Sequence, residues 1–490
     1  MNIKNTALIL LFNLILYSNL FSQNIEFEDV VFKGKLISLG VDLDNDNEIS
    51  ISEAELITKL IFPTPYLENL IADISGIEFF INLDTLSCEY QDIRNIKLNT
   101  NKKLRFVDFS GNERLDTLLI DSLIDLQYLD ISSTGYEIDS VNLSNFPELK
   151  KLYIDNKSTL DVSKNYKLEI LVATHIADID VRNNAKLKRL ACNNQTHLDL
   201  KNNTELEYLN CLAYGYSDDA PRLNELDLSN NTKLKELICL QNNLSELDLS
   251  NNIELKILDI QNISFEKIDL SNNLKLEELN CGGCNLDSLD LSFNVELVNL
   301  SCFANNLKSL SLNNNPNLEY LNCENNQLDS LNVLACSKLT TLYCAFNNLV
   351  NLDLSNNSLL EKIQIVDNPN LTKVCVWVLP FPPDNVWLND WGCPNLEYIN
   401  CYVGVNEIQN TTIKIFPNPF HNYLNVSLDN SLPIEKIKIY NNLGIIVFDK
   451  NYYSITNSVL INVSDLPAGN YFIQVKTANS TIAKELVRIN

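Results

Sequence analysis

Residues 42–53, DLDNDNEISISE, alternate acidic side chains along a short polar stretch. The oxygen-bearing residues in this spacing are Asp42, Asp44, Asp46, Glu48, Ser50 and Glu53. In a loop that turns back on itself, alternate carboxylates bring several oxygens onto one hard cation. The sequence therefore predicts a Ca2+ site at this loop.

The same stretch resembles the calcium loop of EF-hand proteins. This resemblance implies that Glu48 would offer its backbone carbonyl and that Glu53 would bind with both oxygens. It departs from the family pattern at Asn47, where glycine is expected, although Asn tolerates the left-handed conformation better than most residues. The flanking segments 27–40 and 52–62 are expected to be helical. Since only one such loop occurs, a structural ion is favoured over a calcium sensor. The alternative is an acidic helix N-cap without metal.

A second chemical candidate is Cys281-Gly-Gly-Cys284, because this spacing occurs in redox pairs and in half of a zinc site. Whether the two sulfurs act together depends on the repeats around them. Leucines open successive units with a period of 21 residues, and the shared pattern is LxxLxCxxNxLxxLDLSxNxx. These leucines are Leu234, Leu255, Leu276, Leu297, Leu318, Leu339 and Leu360. Looser units precede them from residue 83 onward.

This pattern resembles the nested bacterial class of leucine-rich repeats over residues 67–371. Each LxxLxL segment alternates inward and outward side chains as a short strand does. One coil cannot bury its leucines alone, but stacked coils form a continuous core. Asn side chains are expected to bond to backbone groups at the bends. The fold class is therefore predicted to be mainly β, a leucine-rich-repeat solenoid.

The repeat register also assigns the cysteines. Eight of them share the sixth, inward position of a unit, namely Cys88, Cys192, Cys211, Cys239, Cys281, Cys302, Cys323 and Cys344, and Cys401 repeats that pattern. Cys284 and Cys336 instead replace Asn at bends. The sequence therefore favours a core residue and a bend residue at 281 and 284 over a redox pair.

Two cysteines, Cys375 and Cys393, remain outside these columns. We predict that they form a disulfide that closes the end of the solenoid, in residues 372–405. An exported protein permits such a bond. The alternative is two free thiols.

Composition limits the function classes. The formal net charge is -26, with 37 Lys and Arg against 63 Asp and Glu, which argues against binding nucleic acid or an anionic membrane surface. Only three histidines occur, and the sequence has no nucleophile motif, P-loop or paired-His metal site. We therefore expect a protein that is not an enzyme.

Both ends of the chain carry export signals. Residues 1–22 combine Lys4, a short apolar run and a small polar cleavage region, as in a signal peptide. Residues 24–66, with the following SGIEFFINLDTL, resemble the helical EF-hand-like cap of secreted leucine-rich-repeat proteins from the Bacteroidetes. No later apolar stretch is long enough to span a membrane.

Residues 411–490 alternate apolar and polar side chains between turn signals, which predicts a small β-sandwich. They resemble the C-terminal sorting domain of the type IX secretion system. The matching residues are Pro417-Asn418-Pro419, the hairpin from Tyr440 to Gly444, the phrase from Leu466 to Phe472, and Lys484. This resemblance implies export across the outer membrane, sortase removal of the domain and often attachment to surface polysaccharide. An ordinary adhesive β-sandwich is the alternative.

Two outward columns are candidate surfaces. The aromatic residues Phe303, Tyr320, Tyr343 and Phe346 stand on nearby coils and could bind a protein or glycan partner. A second column consists of Asp161, Asp180, Asp199, Asp227, Asp248, Asp269 and Asp290. Its charges are either satisfied by nearby Ser, backbone, Arg182 and Lys201, or they form a face for cations or a basic partner.

Together these features predict a recognition or adhesion protein that is secreted or held on the outer-membrane surface of a Gram-negative bacterium. A calcium-stabilised structural component of the cell envelope is the first alternative. A surface hydrolase is the second.

Overall fold

The computed structural model describes residues 23–64, 69–135, 141–155, 159–176, 178–215, 221–265, 267–400, 413–428, 434–441, 445–452, 458–477 and 481–489. The predicted signal peptide, Cys401 and the turn of the 440–444 hairpin lie outside these ranges. The chain divides into two compact units, the solenoid and the C-terminal region. No helix in the described ranges is long and apolar enough to cross a membrane.

A small cap precedes the solenoid. Helix α1 (Val30–Ser38) begins at Asp29, whose Oδ1 accepts hydrogen bonds from the N–H groups of Val31 and Phe32 at 2.7 and 3.2 Å. Helix α2 (Ile51–Ala54) is a single turn. The helix expected over 52–62 is therefore wrong beyond its first residues. The chain enters the first strand there instead, and that strand pairs with the next coil.

The solenoid is built from short strands, one or two in each coil. They are β1 (Lys59–Ile61), β2 (Thr85–Ser87), β3 (Asn95–Lys97), β4 (Phe106–Asp108), β5 (Thr117–Leu119), β6 (Tyr128–Ile131), β7 (Lys151–Asp155), β8 (Ile170–Thr174), β9 (Arg189–Cys192), β10 (Tyr208–Asn210), β11 (Glu236–Ile238), β12 (Ile257–Asp259), β13 (Glu278–Asn280), β14 (Asn299–Ser301), β15 (Tyr320–Asn322), β16 (Leu331–Asn332), β17 (Thr341–Tyr343), β18 (Asn351–Asp353), β19 (Lys362–Gln364), β20 (Lys373–Val376), β21 (Trp387–Asn389) and β22 (Glu397–Asn400). Short 3-10 helices occupy Ile77–Phe79 and Leu143–Asn145.

Sixteen of these strands form one parallel sheet along the solenoid, in the order β1-β2-β4-β6-β7-β8-β9-β10-β11-β12-β13-β14-β15-β17-β19-β21. Strands β16, β18, β20 and β22 form a second sheet, and β3 pairs with β5. The leucine period sets this register, since Leu237, Leu258, Leu279 and Leu300 are paired from strand to strand. All four are at most 2% exposed. Burying one leucine contributes roughly 2 kcal/mol, so stacking supplies the core that a single coil lacks.

Buried asparagines replace backbone pairing at the bends, as the repeat predicted. In the second half of the repeat, Asn252 Nδ2 donates to the carbonyls of Leu228 and Asn231 at 3.2 and 2.9 Å. Asn273 and Asn294 repeat these bonds one and two coils later. Each side chain therefore ties its coil to the preceding one at a bend that lies outside the described strands.

The C-terminal region contains two antiparallel sheets, of order β23-β24-β27 and β26-β25-β28-β29. Their strands are β23 (Ile413–Phe416), β24 (Tyr423–Leu428), β25 (Ile434–Asn441), β26 (Ile446–Asn451), β27 (Ser458–Asn462), β28 (Gly469–Thr477) and β29 (Thr481–Arg488). Phe420, Leu424, Ile437 and Ile473 are fully buried in one cluster shared by both sheets. This arrangement is the small sandwich that the alternating pattern indicates.

Candidate functional site

The predicted cation loop brings three carboxylates together. One oxygen from each of Asp42, Asp44 and Asp46 lies within 4.8 Å of the others. Asp42 is largely buried, whereas Asp44 and Asp46 are exposed. The backbone hydrogen bond from Asp46 lowers the pKa of Asp44, but desolvation and the nearby Asp46, Glu53 and Asp42 carboxylates outweigh it and raise that pKa. Like charges at this distance favour a bound cation.

The loop backbone folds around Asp42. Its Oδ1 accepts from the N–H groups of Asn45 and Asp46 at 2.7 and 3.2 Å, and its Oδ2 accepts from Asn47 N–H at 3.0 Å. Asn47 has a φ of 66°. The position where the family carries glycine therefore adopts the left-handed conformation, and Asn is among the few other residues that do so readily.

Glu53, the expected bidentate ligand, has other partners. Its Oε2 accepts from the N–H and the hydroxyl of Ser50 at 2.8 and 2.7 Å, which completes a capping box on α2. Its Oε1 accepts from Leu43 N–H at 2.7 Å. Burial raises the pKa of Glu53, but these hydrogen bonds outweigh it, so the pKa is lowered. Glu48 pairs with Lys33 at 2.8 Å.

The loop thus combines features of both sequence interpretations. Its aspartates fit a hard cation by donor type and by convergence. Its glutamate serves as the helix cap, and coordination by Glu53 would replace hydrogen bonds that it already makes. If calcium binds, the three aspartates would hold it, and the ion would neutralise their mutual repulsion.

The cysteines follow the repeat register. Cys281 is fully buried in the core column, and burial raises the pKa of its thiol well above the usual range. Cys284 stands at the bend, where its Sγ donates to Ile260 O at 3.1 Å, and burial raises its pKa to about 11. Neither thiol has the lowered pKa of a reactive pair, and both are free.

The predicted Cys375–Cys393 disulfide is wrong. Cys393 is a free thiol, whereas Cys375 is disulfide-bonded. The reason is the position of Cys393 in its coil. Its Sγ donates to Ile365 O at 3.2 Å, just as the Sγ of Cys284 donates to Ile260 O several coils earlier in the same bend column. Cys393 therefore continues the Asn and Cys bend column instead of facing Cys375.

The four predicted partner-binding aromatics do not form one cluster. Tyr320 and Tyr343 meet edge to face, with ring centroids 5.9 Å apart, and both are half-buried on the outward face of the long sheet. Phe303 instead covers Gly282, where an added Cβ would lie 2.2 Å from its ring. Phe346 is 45% exposed at a left-handed bend position with a φ of 54°. Only the two tyrosines are brought together.

The outward Asp column caps its own bends. The Oδ1 atoms of Asp227, Asp248 and Asp269 each accept from the N–H of the serine two residues later, at 2.9 Å. Hydrogen bonds from the serine hydroxyls, together with these backbone bonds, lower the pKa of each carboxyl. Arg182 pairs with Asp180 at 2.7 Å and lowers its pKa to about 2. The hydrogen-bonding explanation thus accounts for these carboxylates.

An acidic and aromatic face that was not predicted from the sequence lies near the start of the solenoid. Two successive coils carry the phrases FVDFS (106–110) and YLDIS (128–132). In the sheet, Phe106 is paired with Tyr128 and Asp108 with Asp130. The repeated combination of an aromatic residue, Asp and Ser was the signal that could have identified this face.

The C-terminal phrases that resembled a sorting domain hold the sandwich together. Asn418 Oδ1 accepts from Val487 N–H at 2.9 Å, so the Pro-Asn-Pro segment is bonded to the last strand. Tyr471 donates its hydroxyl to Pro467 O at 2.6 Å. Arg488 donates to the carbonyls of His421 and Ser464. These contacts explain the residue types structurally.

Comparison with known proteins gives two kinds of match. Residues 414–490 match the family described as the secretion system C-terminal sorting domain. The functional domain of InlJ from Listeria monocytogenes, which is described as including a cysteine ladder, has a TM-score of 0.56 and 21% identity, covering 96% of this chain and 99% of that one. A leucine-rich-repeat protein of Leptospira interrogans has a TM-score of 0.53 and 18% identity, covering 71% and 97%. The curated protein sequences give no match.

At these identities the structural matches establish the fold alone. The sorting-domain match covers the region after the solenoid and indicates a secreted or cell-surface protein. The chain is therefore a mainly β protein with the solenoid fold of leucine-rich-repeat proteins, and the residues that follow the solenoid match a secretion-system sorting domain.

Proposed function

We propose that this protein is a non-enzymatic recognition or adhesion protein, exported by the type IX route, whose solenoid binds a protein or glycan partner. The observation that carries the proposal is the pairing of a sorting-domain match with a long regular sheet that presents aromatic side chains outward. Outward rings on a rigid surface supply contact area at little entropic cost, even when they are half-buried. Tyr320 and Tyr343 are the pair that we assign to this surface.

Export is tested by cell fractionation and C-terminal mass spectrometry of the product in its natural host. We expect the mature protein at the cell surface or in the medium, without residues 411–490. An intact C-terminus on a periplasmic product would contradict export by this route. The same measurement reports whether the mature protein is anchored or released.

Partner binding is tested on protein and glycan arrays with the mature protein and the double variant Tyr320→Ala/Tyr343→Ala. We expect bound signal to fall by about tenfold or more, because paired aromatic side chains dominate many interfaces. Phe293→Ala is the matched control, since Phe293 is 54% exposed but belongs to a bend in the other half of its repeat. Equal loss in both variants would contradict the assignment of the tyrosine pair.

We further propose that calcium stabilises the cap by binding at Asp42, Asp44 and Asp46. Adding calcium to the metal-free mature protein should raise its melting temperature, because an ion that binds only the folded loop stabilises it by mass action. Asp44→Asn/Asp46→Asn should remove that rise, while Asp248→Asn/Asp269→Asn, with the same change in charge, should keep it. A melting temperature that calcium leaves unchanged would contradict the proposal.

A calcium-stabilised envelope component without a diffusible ligand remains the competing function, and it predicts this rise in melting temperature with no binding on the arrays.

A further inference from the structure

Two aspartates lie side by side on the outward face of strands β4 and β6. Asp108 and Asp130 are directly paired across the parallel strands, where neighbouring strands are about 4.8 Å apart. Asp108 is only 6% exposed, and Asp130 is half-buried. Ser87 is the strand partner of Asp108, and Glu89 lies two residues after Ser87 on the same side of the sheet. The face therefore concentrates negative charge in a place that water reaches poorly.

These carboxylates have no cationic partner among the described residues. Asp108 Oδ1 accepts from the N–H and hydroxyl of Ser110 at 3.0 and 2.8 Å, and Asp130 Oδ1 accepts from those of Ser132 at 3.0 and 2.6 Å. Burial raises the pKa of Asp108 to about 6, and the Asp130 and Glu89 charges add to this effect. Burial likewise raises the pKa of Asp130. The negative charges of Asp108 and Asp130 are therefore poorly compensated in the free protein.

Aromatic rings flank the carboxylates. Phe106 and Tyr128 are stacked with ring centroids 4.0 Å apart, and the ring centroids of Tyr128 and Tyr153 are 5.6 Å apart. Tyr153 is also the strand partner of Asp130. Nearby on the same face, Asp155 is 9% exposed, and its Oδ1 has no hydrogen-bond partner in the part of the chain that the structure describes. Ring faces next to buried carboxylates are the environment that a planar cation prefers over water.

The same sheet already holds one such contact. Arg189 and Tyr208 are direct partners on the adjacent strands β9 and β10, and both lie on the outward face. The guanidinium carbon of Arg189 lies 3.5 Å from the centroid of the Tyr208 ring. Arg189 and Tyr208 occupy the column to which Phe106 and Tyr128 belong. The geometry of this face thus accommodates a guanidinium group on a ring.

We infer that the face formed by Asp108, Asp130, Tyr128 and Tyr153 binds an arginine side chain of a protein partner. The guanidinium would lie against the rings and donate hydrogen bonds to the paired carboxylates. Charge complementarity selects this occupant, because the chain carries a net charge of -26 and these carboxylates are buried without a described counter-ion. Burial weakens solvent screening here, whereas the exposed Asp column gains less from a cation. The inference deepens the proposed recognition function and rests on it.

The test measures binding of fluorescein-labelled hexa-arginine to the mature protein by fluorescence anisotropy at physiological ionic strength. We expect Asp108→Asn/Asp130→Asn to raise Kd by about tenfold or more. Asp248→Asn/Asp269→Asn changes the net charge equally on an exposed column and should raise Kd by less than about twofold. Hexa-arginine should bind more tightly than hexa-lysine, because only a guanidinium stacks on the rings.

Tyr153→Leu keeps every carboxylate and should reduce the preference for arginine over lysine, which provides a second measurement if the Asp pair fails to fold. An equal rise in Kd for Asp108→Asn/Asp130→Asn and for Asp248→Asn/Asp269→Asn would mean that hexa-arginine is held by diffuse attraction to negative charge, and it would overturn the inference. Absence of hexa-arginine binding, or equal affinity for both peptides, would also overturn it. None of these outcomes touches the export and array experiments, so failure here is distinguishable from failure of the proposed function.

Discussion

Asn294→Ala should lower the free energy of unfolding by about 2 kcal/mol. Asn294 is 1% exposed, and its Nδ2 donates to the carbonyls of Leu270 and Asn273 at 3.1 and 2.9 Å. Alanine removes both buried bonds and leaves a small cavity. Both carbonyls still accept hydrogen bonds from backbone N–H groups, which limits the loss of stability. Denaturant unfolding monitored by circular dichroism measures the change.

The matched control is Asn314→Ala. Its Nδ2 donates to Ser292 O at 3.0 Å in the preceding coil, but the side chain is exposed, so water can replace it. We expect a change within about 0.5 kcal/mol. Equal effects of the two substitutions would mean that the buried Asn column does not hold the coils together. The column extends through the solenoid and comprises Asn165, Asn184, Asn203, Asn231, Asn252, Asn273, Asn294, Asn315 and Asn357.

Cys281→Ser should lower the free energy of unfolding by about 2 kcal/mol, whereas Cys284→Ser should be much better tolerated. Cys281 is fully buried between Ile260 and Cys302 of the neighbouring coils, so a serine hydroxyl there enters an apolar column. Cys284 donates its thiol to Ile260 O at 3.1 Å, and a serine hydroxyl keeps a donor at that position.

The measurement is denaturant unfolding of both variants, with thiol labelling of the native protein as a second readout. We expect slow labelling of Cys281 and Cys284, because burial raises the pKa of both thiols and closes access to them. Rapid labelling of both cysteines, or formation of a bond between them in mild oxidant, would contradict separate core and bend roles. Cys284→Asn should match the wild-type stability, since Asn is the usual residue in that column.

The repeat could be identified from the amino-acid sequence alone. A period of 21 residues places leucines, cysteines and asparagines in inward and bend columns, and this assignment is local because side chains alternate along each strand. It therefore identified the parallel solenoid, the core role of Cys281 and the bend role of Cys284. It also separated the C-terminal β region, where the residue pattern changes from repeats to simple alternation.

Contacts between side chains of different coils depend on how coils of unequal length pack against one another, so they could be seen only in the folded protein. The last coil is longer than the regular unit, and this places Cys393 in the bend column, away from Cys375. Side-chain direction brings Tyr320 to Tyr343 but turns Phe303 onto Gly282. Pairing across β4 and β6, two coils of irregular length, sets Asp108 beside Asp130. A repeat pattern fixes which residues point outward, but neighbouring coils and packing determine which of them meet.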